Sequence, residues 1–121
     1  MGKQFKIVVD GVPHSNNKFM GNSHSFNEYR TEKQLWHWKV KAAIRDKPDE
    51  PIKKAVVCIR YFFPDKRRRD PDNYSGKMLL DPLVREGILQ DDSFDNVRLV
   101  LDADTDKKQP RTEITVIQEG E

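Results

Sequence analysis

The residues best suited to chemistry lie in one short stretch of the chain. Lys66 to Arg69 are four consecutive cations, and Asp70 and Asp72 follow them on either side of Pro71. Proline favours an extended conformation in the residue before it, and residues i and i+2 of an extended segment point the same way, so the two carboxylates are expected to converge. Convergent carboxylates suit a hard divalent cation. The plainer interpretation is a solvated loop in which Asp72 caps a helix.

Two further acidic and basic groups are candidates for the same site. Asp91 and Asp92 precede a predicted strand, and Lys77 lies five residues after Asp72. Three carboxylates, a lysine and a run of arginines suggest metal-assisted hydrolysis of a phosphodiester, with Lys77 and Arg69 neutralising charge that develops on phosphate oxygens. Taken alone, a lysine at this position is more often an ordinary solvated side chain than a functional one.

Other metal sites fit the sequence poorly. A calcium loop starting at Asp70 would require glycine where Ser75 stands, and the three histidines lack the clustered spacing of a zinc site. The residues alone therefore indicate a hard divalent cation and leave its identity open.

Charge is distributed unevenly along the chain. Residues 1–69 hold 16 Lys and Arg against 7 Asp and Glu, whereas residues 70–121 hold 6 against 13, although the net charge is only +2. One interpretation is chance composition of a solvated surface. The other is a basic surface that attracts a polyanion such as DNA, next to an acidic pocket that needs a cation.

Length and composition limit the class of protein. The chain has 121 residues, of which 36% are apolar and 35% charged, so one core is feasible and two are not. No apolar run approaches the ~20 residues of a membrane span, and the N-terminus lacks the apolar stretch of a signal peptide. The single cysteine, Cys58, excludes an intramolecular disulfide framework. We expect one domain over residues 1–121 in a soluble, cytoplasmic protein without a membrane partner.

Hydrophobic periodicity predicts the elements that must position the candidate site. Strands are expected at 4–9, 53–63, 96–102 and 111–117, and helices at 25–47 and 73–86. The order β-α-β-α-β-β indicates a one-domain α/β or α+β fold. The stretch 53–63 reads as a central strand, and the last two strands read as an antiparallel hairpin.

Two features of the predicted helices bear on assembly and on the site. Trp36 and Trp38 point about 200° apart on the first helix, so one of them is a candidate for a homodimer interface, although a partly exposed Trp is an equal alternative. The second helix is expected to begin at Asp72 or Asn73 and to end at Gly87.

Taken together, these motifs resemble the RusA family of Holliday-junction resolvases. The sequence Arg-Arg-Arg-Asp-Pro-Asp-Asn at 67–73 is similar to the family signature, and Pro13 with Ser15-Asn16-Asn17 is similar to its early motif. Lys77, Asp81, Gly87 and Asp91-Asp92 continue the resemblance. One departure is that Lys77 follows Asn73 by four positions where the family form has three, as if Gly76 or a neighbour were inserted.

The resemblance implies a dimeric, Mg²⁺-dependent endonuclease, in which Mn²⁺ can substitute, with a mixed four-stranded sheet and flanking helices, often found in phages and prophages. It implies Asp70, Asp72 and Asp92 as essential carboxylates, Lys77 as the catalytic lysine and Arg69 as an important cation, with Asp91 and Asn73 as further candidates. The basic surface, formed by Lys66, Arg67, Arg68 and Arg69, is expected to bind the DNA backbone, together with Asn16 and Asn17. The expected function is cleavage of four-way DNA junctions in recombination and repair. The alternatives are a non-catalytic DNA-binding module with a structural acidic cluster, and a less selective nuclease of flaps or linear duplex.

Overall fold

The computed structural model describes residues 3–19 and 25–120. Within them the chain forms four strands and two helices: β1 (Gln4–Asp10), α1 (Ser25–Ala43), β2 (Ala55–Phe63), α2 (Lys77–Arg85), β3 (Val97–Thr105) and β4 (Arg111–Gln118). Short 3-10 turns lie at Asn16–Phe19 and Pro71–Asn73. The predicted order β-α-β-α-β-β and the α+β class are confirmed. Residues 20–24 of the predicted polar loop lie outside the described residues.

The four strands form one mixed sheet in the order β1-β4-β2-β3. β4 pairs antiparallel with both β1 and β2, while β3 pairs parallel with β2. The prediction that β2 is a central strand is confirmed, but the predicted β3–β4 hairpin is wrong. β4 crosses to the middle of the sheet because its inward residues, Thr112, Ile114 and Val116, are fully buried there, whereas β3 remains at the edge.

The parallel pairing of β2 and β3 determines where the loops lie. α2 is the crossover that returns the chain to the starting end of β2, as parallel strands require. The register runs from Ala55 opposite Val97 to Phe63 opposite Thr105. The segment after β2 and the segment before β3 therefore lie at opposite ends of the sheet.

Both helices pack on one face of the sheet. α1 contributes Trp36 and Val40 to the core, and α2 contributes Met78, Leu79 and Leu83. The other apolar stripe of α1 is exposed, since Leu35 and Trp38 retain about half of their accessible surface. Neither helix in the described part of the chain combines the length and apolar character needed to cross a membrane.

Both helices are shorter than predicted. α1 ends at Ala43 rather than near residue 47, and α2 begins at Lys77 rather than at residue 73. The predicted end of α2 is correct: Gly87 follows the last turn with φ of 81°. The N–H of Gly87 donates to the carbonyl of Val84 and the N–H of Ile88 donates to that of Leu83, the hydrogen-bond pair of a Schellman motif.

Candidate functional site

The four-cation run, hereafter the basic segment (Lys66–Arg69), follows the end of β2. Its side chains differ in exposure. Those of Arg67 and Arg68 are 81% and 89% exposed, whereas that of Arg69 is only 17% exposed. The segment therefore offers two outward guanidinium groups to an anion and keeps a third within the fold.

Arg69 organises the loop that carries it. Its Nη1 donates to the carbonyl of Asp65 at 2.9 Å and to that of Arg67 at 3.1 Å, and its guanidinium lies 4.3 Å from the centroid of the Phe63 ring. The pKa of Asp65 is lowered mainly because the backbone N–H of Arg67 donates to its carboxylate, and Arg69 adds to the effect. Arg69 is thus committed to contacts within the chain, and Arg67 and Arg68 remain the better phosphate ligands.

The two carboxylates after the basic segment do not lie on one extended stretch. Asp70 is extended, with φ −105° and ψ 140°, but Pro71–Asn73 forms a 3-10 turn closed by hydrogen bonds from the N–H groups of Asn73 and Tyr74. The expectation of an extended segment through Asp72 is therefore wrong. The reason is that the fixed φ of proline also suits the first position of a helical turn. Asp70 is half exposed and pairs with Arg68, and Asp72 is exposed.

Asn16 connects the N-terminal polar motif to this acidic loop. Its amide nitrogen donates to the carbonyl of Asp72 at 3.3 Å and to the hydroxyl of Ser75 at 3.2 Å. Ser15 contributes to a cavity of about 590 Å³ that is otherwise lined by Arg67, Arg68, Arg69, Asp70, Asn73 and Tyr74. The two motifs therefore build one site, with Asn16 holding the loop in place. The side chain of Asn17 lies outside the described part.

Lys77 is the first residue of α2, and its Nζ lies 5.4 Å from the centroid of the Tyr29 ring on α1. It lines one crevice with Asn16 and Asn73. The preceding Gly76 has φ of 80°, and a Cβ there would approach Cδ1 of Ile59 to 2.6 Å. The apparent insertion before Lys77 therefore occupies a buried position that only glycine fits without strain.

A histidine and a glutamate that were not predicted as site residues adjoin the same crevice. The backbone N–H of His14 donates to Oε2 of Glu32 at 2.7 Å, and its Nδ1 contacts Oε1 of the same carboxylate. Glu32 is buried on α1, whereas the side chain of His14 is 58% exposed. A buried carboxylate thus orients the imidazole. No sequence pattern predicted this pair, because nothing local connects residue 14 to α1.

The second acidic pair lies at the other end of the sheet. The N–H of Gln90 donates to the carbonyl of Ile52, and the amide of Asn96 donates to that of Lys53. Asp91 and Asp92 lie between these contacts, beside the start of β2. Ala103 lies level with the Asp70 loop and is six positions beyond Val97 on β3, which corresponds to roughly 20 Å at 3.3 Å per residue.

One chain therefore does not gather the three predicted carboxylates. Across residues 3–19 and 25–120, no group of three or more His, Cys, Asp or Glu side chains is close enough to hold a metal ion. The expectation that Asp92 returns to the edge occupied by Asp70 and Asp72 is not met within a single chain, because the crossover is parallel.

Sequence reasoning also missed an aromatic pocket beside Asp70. It has a volume of about 260 Å³, and its lining combines apolar and aromatic side chains with charged ones: Tyr61, Phe63, Pro71, Tyr74, Leu101 and Ala103, with Arg69, Asp70 and Asp102. The Tyr74 ring stands edge-on to both Tyr61 and Phe63, with centroids 5.7 and 5.0 Å apart. The aromatic run at the end of β2 was visible in the sequence, but its partner Tyr74 directly follows the unpredicted 3-10 turn.

Comparison with known proteins adds no assignment: no family model and no curated protein matches this sequence.

Proposed function

We propose that this protein is a metal-dependent endonuclease that binds and cuts branched DNA, with the four-way junction as its preferred substrate and a homodimer as its active form. The observation that carries the proposal is the loop after β2, where exposed guanidinium groups and the carboxylates of Asp70 and Asp72 occur within six residues. Its sequence is also the part that most resembles the RusA family. A DNA substrate would be met in the cytoplasm.

Phosphate binding would fall to the outward arginines. Arg67 and Arg68 each pair with one nearby carboxylate but remain more than four-fifths exposed, so a DNA phosphate can reach them. Contacts of this kind fix the position of the protein on the DNA backbone without reading sequence. This favours recognition of the shape of a junction.

A second copy of the chain would supply the third predicted carboxylate. Mg²⁺ commonly binds one or two carboxylates together with waters and phosphate oxygens, so Asp70 and Asp72 are candidate ligands, and Asp92 of the same chain is too far away to join them. A two-fold dimer can bring Asp92 of one copy to Asp70 and Asp72 of the other, and it does so twice. Two equivalent sites match the near two-fold symmetry of a four-way junction.

The remaining residues of the site would orient the acidic loop and neutralise charge on the phosphate. Asn16 holds the carbonyl of Asp72 and the hydroxyl of Ser75, and so sets the position of the acidic loop. Lys77 lies in the adjoining crevice, where its ammonium can approach a phosphate. A bound Mg²⁺ would supply an activated water and neutralise charge on the phosphate.

The decisive test is Asp72→Asn assayed on a synthetic four-way junction. We expect binding to persist while Mg²⁺-dependent nicking falls by about 10³-fold, which corresponds to about 4 kcal/mol in the barrier. Asp49→Asn, at an exposed carboxylate near the other end of the sheet, is the matched control and should cut normally. Undiminished nicking by Asp72→Asn would reject the site assignment.

A non-catalytic DNA-binding module is the second candidate, and one observation favours it. Asp70 already pairs with Arg68, with Nε and Oδ1 3.2 Å apart, as expected of a carboxylate whose role is structural. This alternative predicts junction binding without cleavage in either Mg²⁺ or Mn²⁺. A comparison of junction with linear duplex at equal salt separates both candidates from a less selective nuclease.

A further inference from the structure

The aromatic pocket beside Asp70 is large enough for one flat ring. The rings of Tyr61 and Phe63 are tilted by 34° with their centroids 5.8 Å apart, and the ring of Tyr74 stands edge-on to both. Ala103, on the β3 side of the lining, is exposed, so the pocket opens towards the free edge of the sheet. Its 260 Å³ is below the about 300–1,000 Å³ of pockets that enclose drug-sized ligands.

The free edge of β3 beside this pocket is a poor template for another strand. The backbone N–H of Ala103 donates to Oδ1 of Asp102 at 2.8 Å, and that of Thr105 donates to Oδ1 of Asp104 at 2.8 Å. These two N–H groups are thus occupied by neighbouring carboxylates, and charged side chains on an edge discourage strand pairing. The pocket is therefore better suited to a small ring than to an added strand.

The charges around the pocket are already balanced. All three charged side chains of its lining have an ion-pair partner within the chain: Arg69 with Asp65, Asp70 with Arg68, and Asp102 with Arg60. A lining of paired charges and aromatic rings favours a neutral ligand over an ion. Nucleobases are neutral flat rings that carry hydrogen-bond donors and acceptors on their edges.

The pocket continues into the cavity that holds the outward arginines. Arg69, Asp70 and Tyr74 line both spaces, and Arg67 and Arg68 line only the second. A ring in the pocket would therefore lie next to guanidinium groups that can bind phosphate. A nucleotide combines these two parts, since its base is joined through a sugar to a phosphate.

The rings of the pocket also offer surfaces for stacking. The guanidinium of Arg69 lies 4.3 Å from the centroid of the Phe63 ring and is itself part of the lining, and the ring of Tyr74 is half-buried. Proteins that bind single-stranded nucleic acids stack bases on aromatic side chains, with a further contribution from arginine.

We propose that the aromatic pocket takes up one unpaired nucleobase of a DNA strand while the neighbouring phosphates lie against Arg67 and Arg68. The inference rests on the proposed function for its DNA substrate, and adds a contact that distinguishes an unpaired base from a paired one. Phosphate contacts alone do not make this distinction. In a branched DNA, the nucleotides next to the branch point are the most readily unstacked, so they would supply the base.

The experiment compares two single strands of equal length in the absence of divalent metal. One is an oligodeoxythymidylate and the other is the same strand with abasic sites throughout. Both carry the same phosphates, so the basic segment contributes equally to their binding. The wild type is expected to bind the oligodeoxythymidylate about 10-fold more tightly, the effect of one stacked base, as measured by fluorescence anisotropy at fixed salt.

Two matched pairs of variants connect this preference to the pocket. Ala103→Trp should fill the mouth of the pocket and abolish the preference, whereas Ala103→Ser leaves it open and should keep it. Tyr74→Leu removes a ring and should reduce the preference, whereas Tyr74→Phe keeps the ring and should retain it. Ala103 is exposed, so both of its variants should unfold at the wild-type temperature and the test does not depend on Tyr74→Leu folding.

A four-way junction extends the test to the proposed substrate. Abasic sites at the nucleotides that flank the branch point should lower wild-type affinity about 10-fold, whereas abasic sites within an arm should not. The wild type and Ala103→Trp should bind the branch-point abasic junction equally, because both changes remove the same contact.

Several outcomes would overturn the inference. Equal affinity of the wild type for the two single strands is one, and binding of neither strand is another. A preference that persists in Ala103→Trp would place the base outside the pocket, and a change in sedimentation mass without a change in preference would mean that the pocket contacts protein. The nuclease proposal is tested separately, by nicking with Asp72→Asn, so either proposal can fail while the other holds.

Discussion

The two ends of the sheet differ in charge and in shape. At the end of β2, the basic segment, two carboxylates and an aromatic pocket surround a concave surface. At the start of β3, the acidic turn (residues 91–96) projects three carboxylates and the exposed side chain of Phe94. The parallel pairing of β2 and β3 keeps these ends apart in one chain. The difference teaches that the abrupt change of charge along the sequence separates two surfaces of opposite character at opposite ends of the sheet.

The largest effect is expected from mixing two inactive variants, one altered at each end of the sheet. Asp72→Asn and Asp92→Asn should each abolish nicking. If the site is shared between copies, mixed dimers contain one intact site, and random exchange should restore about a quarter of the wild-type sites. The readout is nicking of a four-way junction after subunit exchange.

The matched control for mixing is Asp70→Asn with Asp72→Asn, which should stay inactive because both changes fall on the same side of the shared site. No recovery in the first mixture, with exchange of subunits demonstrated, would contradict a shared site.

The basic segment can be tested separately by its salt dependence. Neutralising Arg67 and Arg68 to Gln removes two guanidinium groups whose side chains are 81% and 89% exposed. Junction affinity should fall, and the slope of log affinity against log salt should shrink by about 1 for each DNA phosphate that the variant no longer neutralises. Arg98→Gln, at an exposed arginine of β3, is the control. An unchanged slope would remove the basic segment from the DNA interface.

The sequence predicted the elements better than their arrangement. Alternation of apolar residues identified β1, β3 and β4, and a continuous apolar run identified β2. In β1 the alternation follows from burial of one face, since Phe5, Ile7 and Val9 are buried while their neighbours are exposed. The pairing of β3 could not be predicted, because a short polar connection to β4 is typical of a hairpin. The pairing of β3 depends on which strand occupies the centre of the sheet, and this is not a local property of the sequence.

The candidate site was predicted in part. The residue types and spacing at 67–73 identified the loop, but its conformation depends on Asn16, which is 56 residues from Asp72 in sequence. The separation of Asp92 from Asp70 depends on the parallel pairing of β3 with β2, which no local sequence pattern predicts.

Gly76 lies beside Lys77, and its tight packing against Ile59 can be tested by substitution. Gly76→Ala places a Cβ 2.6 Å from Ile59 Cδ1 at a positive φ, so we expect a loss of about 2–3 kcal/mol in the free energy of unfolding. Gly87→Ala shares the positive φ but has open space around it, and should cost about 1 kcal/mol. Denaturant unfolding measures both. Equal losses would mean that the approach to Ile59 is relieved by local movement.

The smallest effect expected is an acid sensitivity localised to the end of β2. Arg111 stacks on Phe62 at 3.8 Å and pairs with Asp106 and Glu113. Hydrogen bonds from Arg111 are the main cause that lowers the pKa of both carboxyl groups below their ordinary 3.8 and 4.5.

Because these folded-state pKa values are lowered, the stabilisation is present above the ordinary values and is lost as pH falls through the folded-state ones. Arg111→Met should therefore reduce the thermal midpoint slightly at pH 6 and not at all well below pH 3.8. Arg30→Met, which removes a guanidinium stacked on Phe26, is the control. Its difference in thermal midpoint from the wild type should be the same at both pH values. A difference between Arg111→Met and wild type that persists undiminished in acid would mean that Arg111 acts by packing on Phe62 rather than through its carboxylate partners.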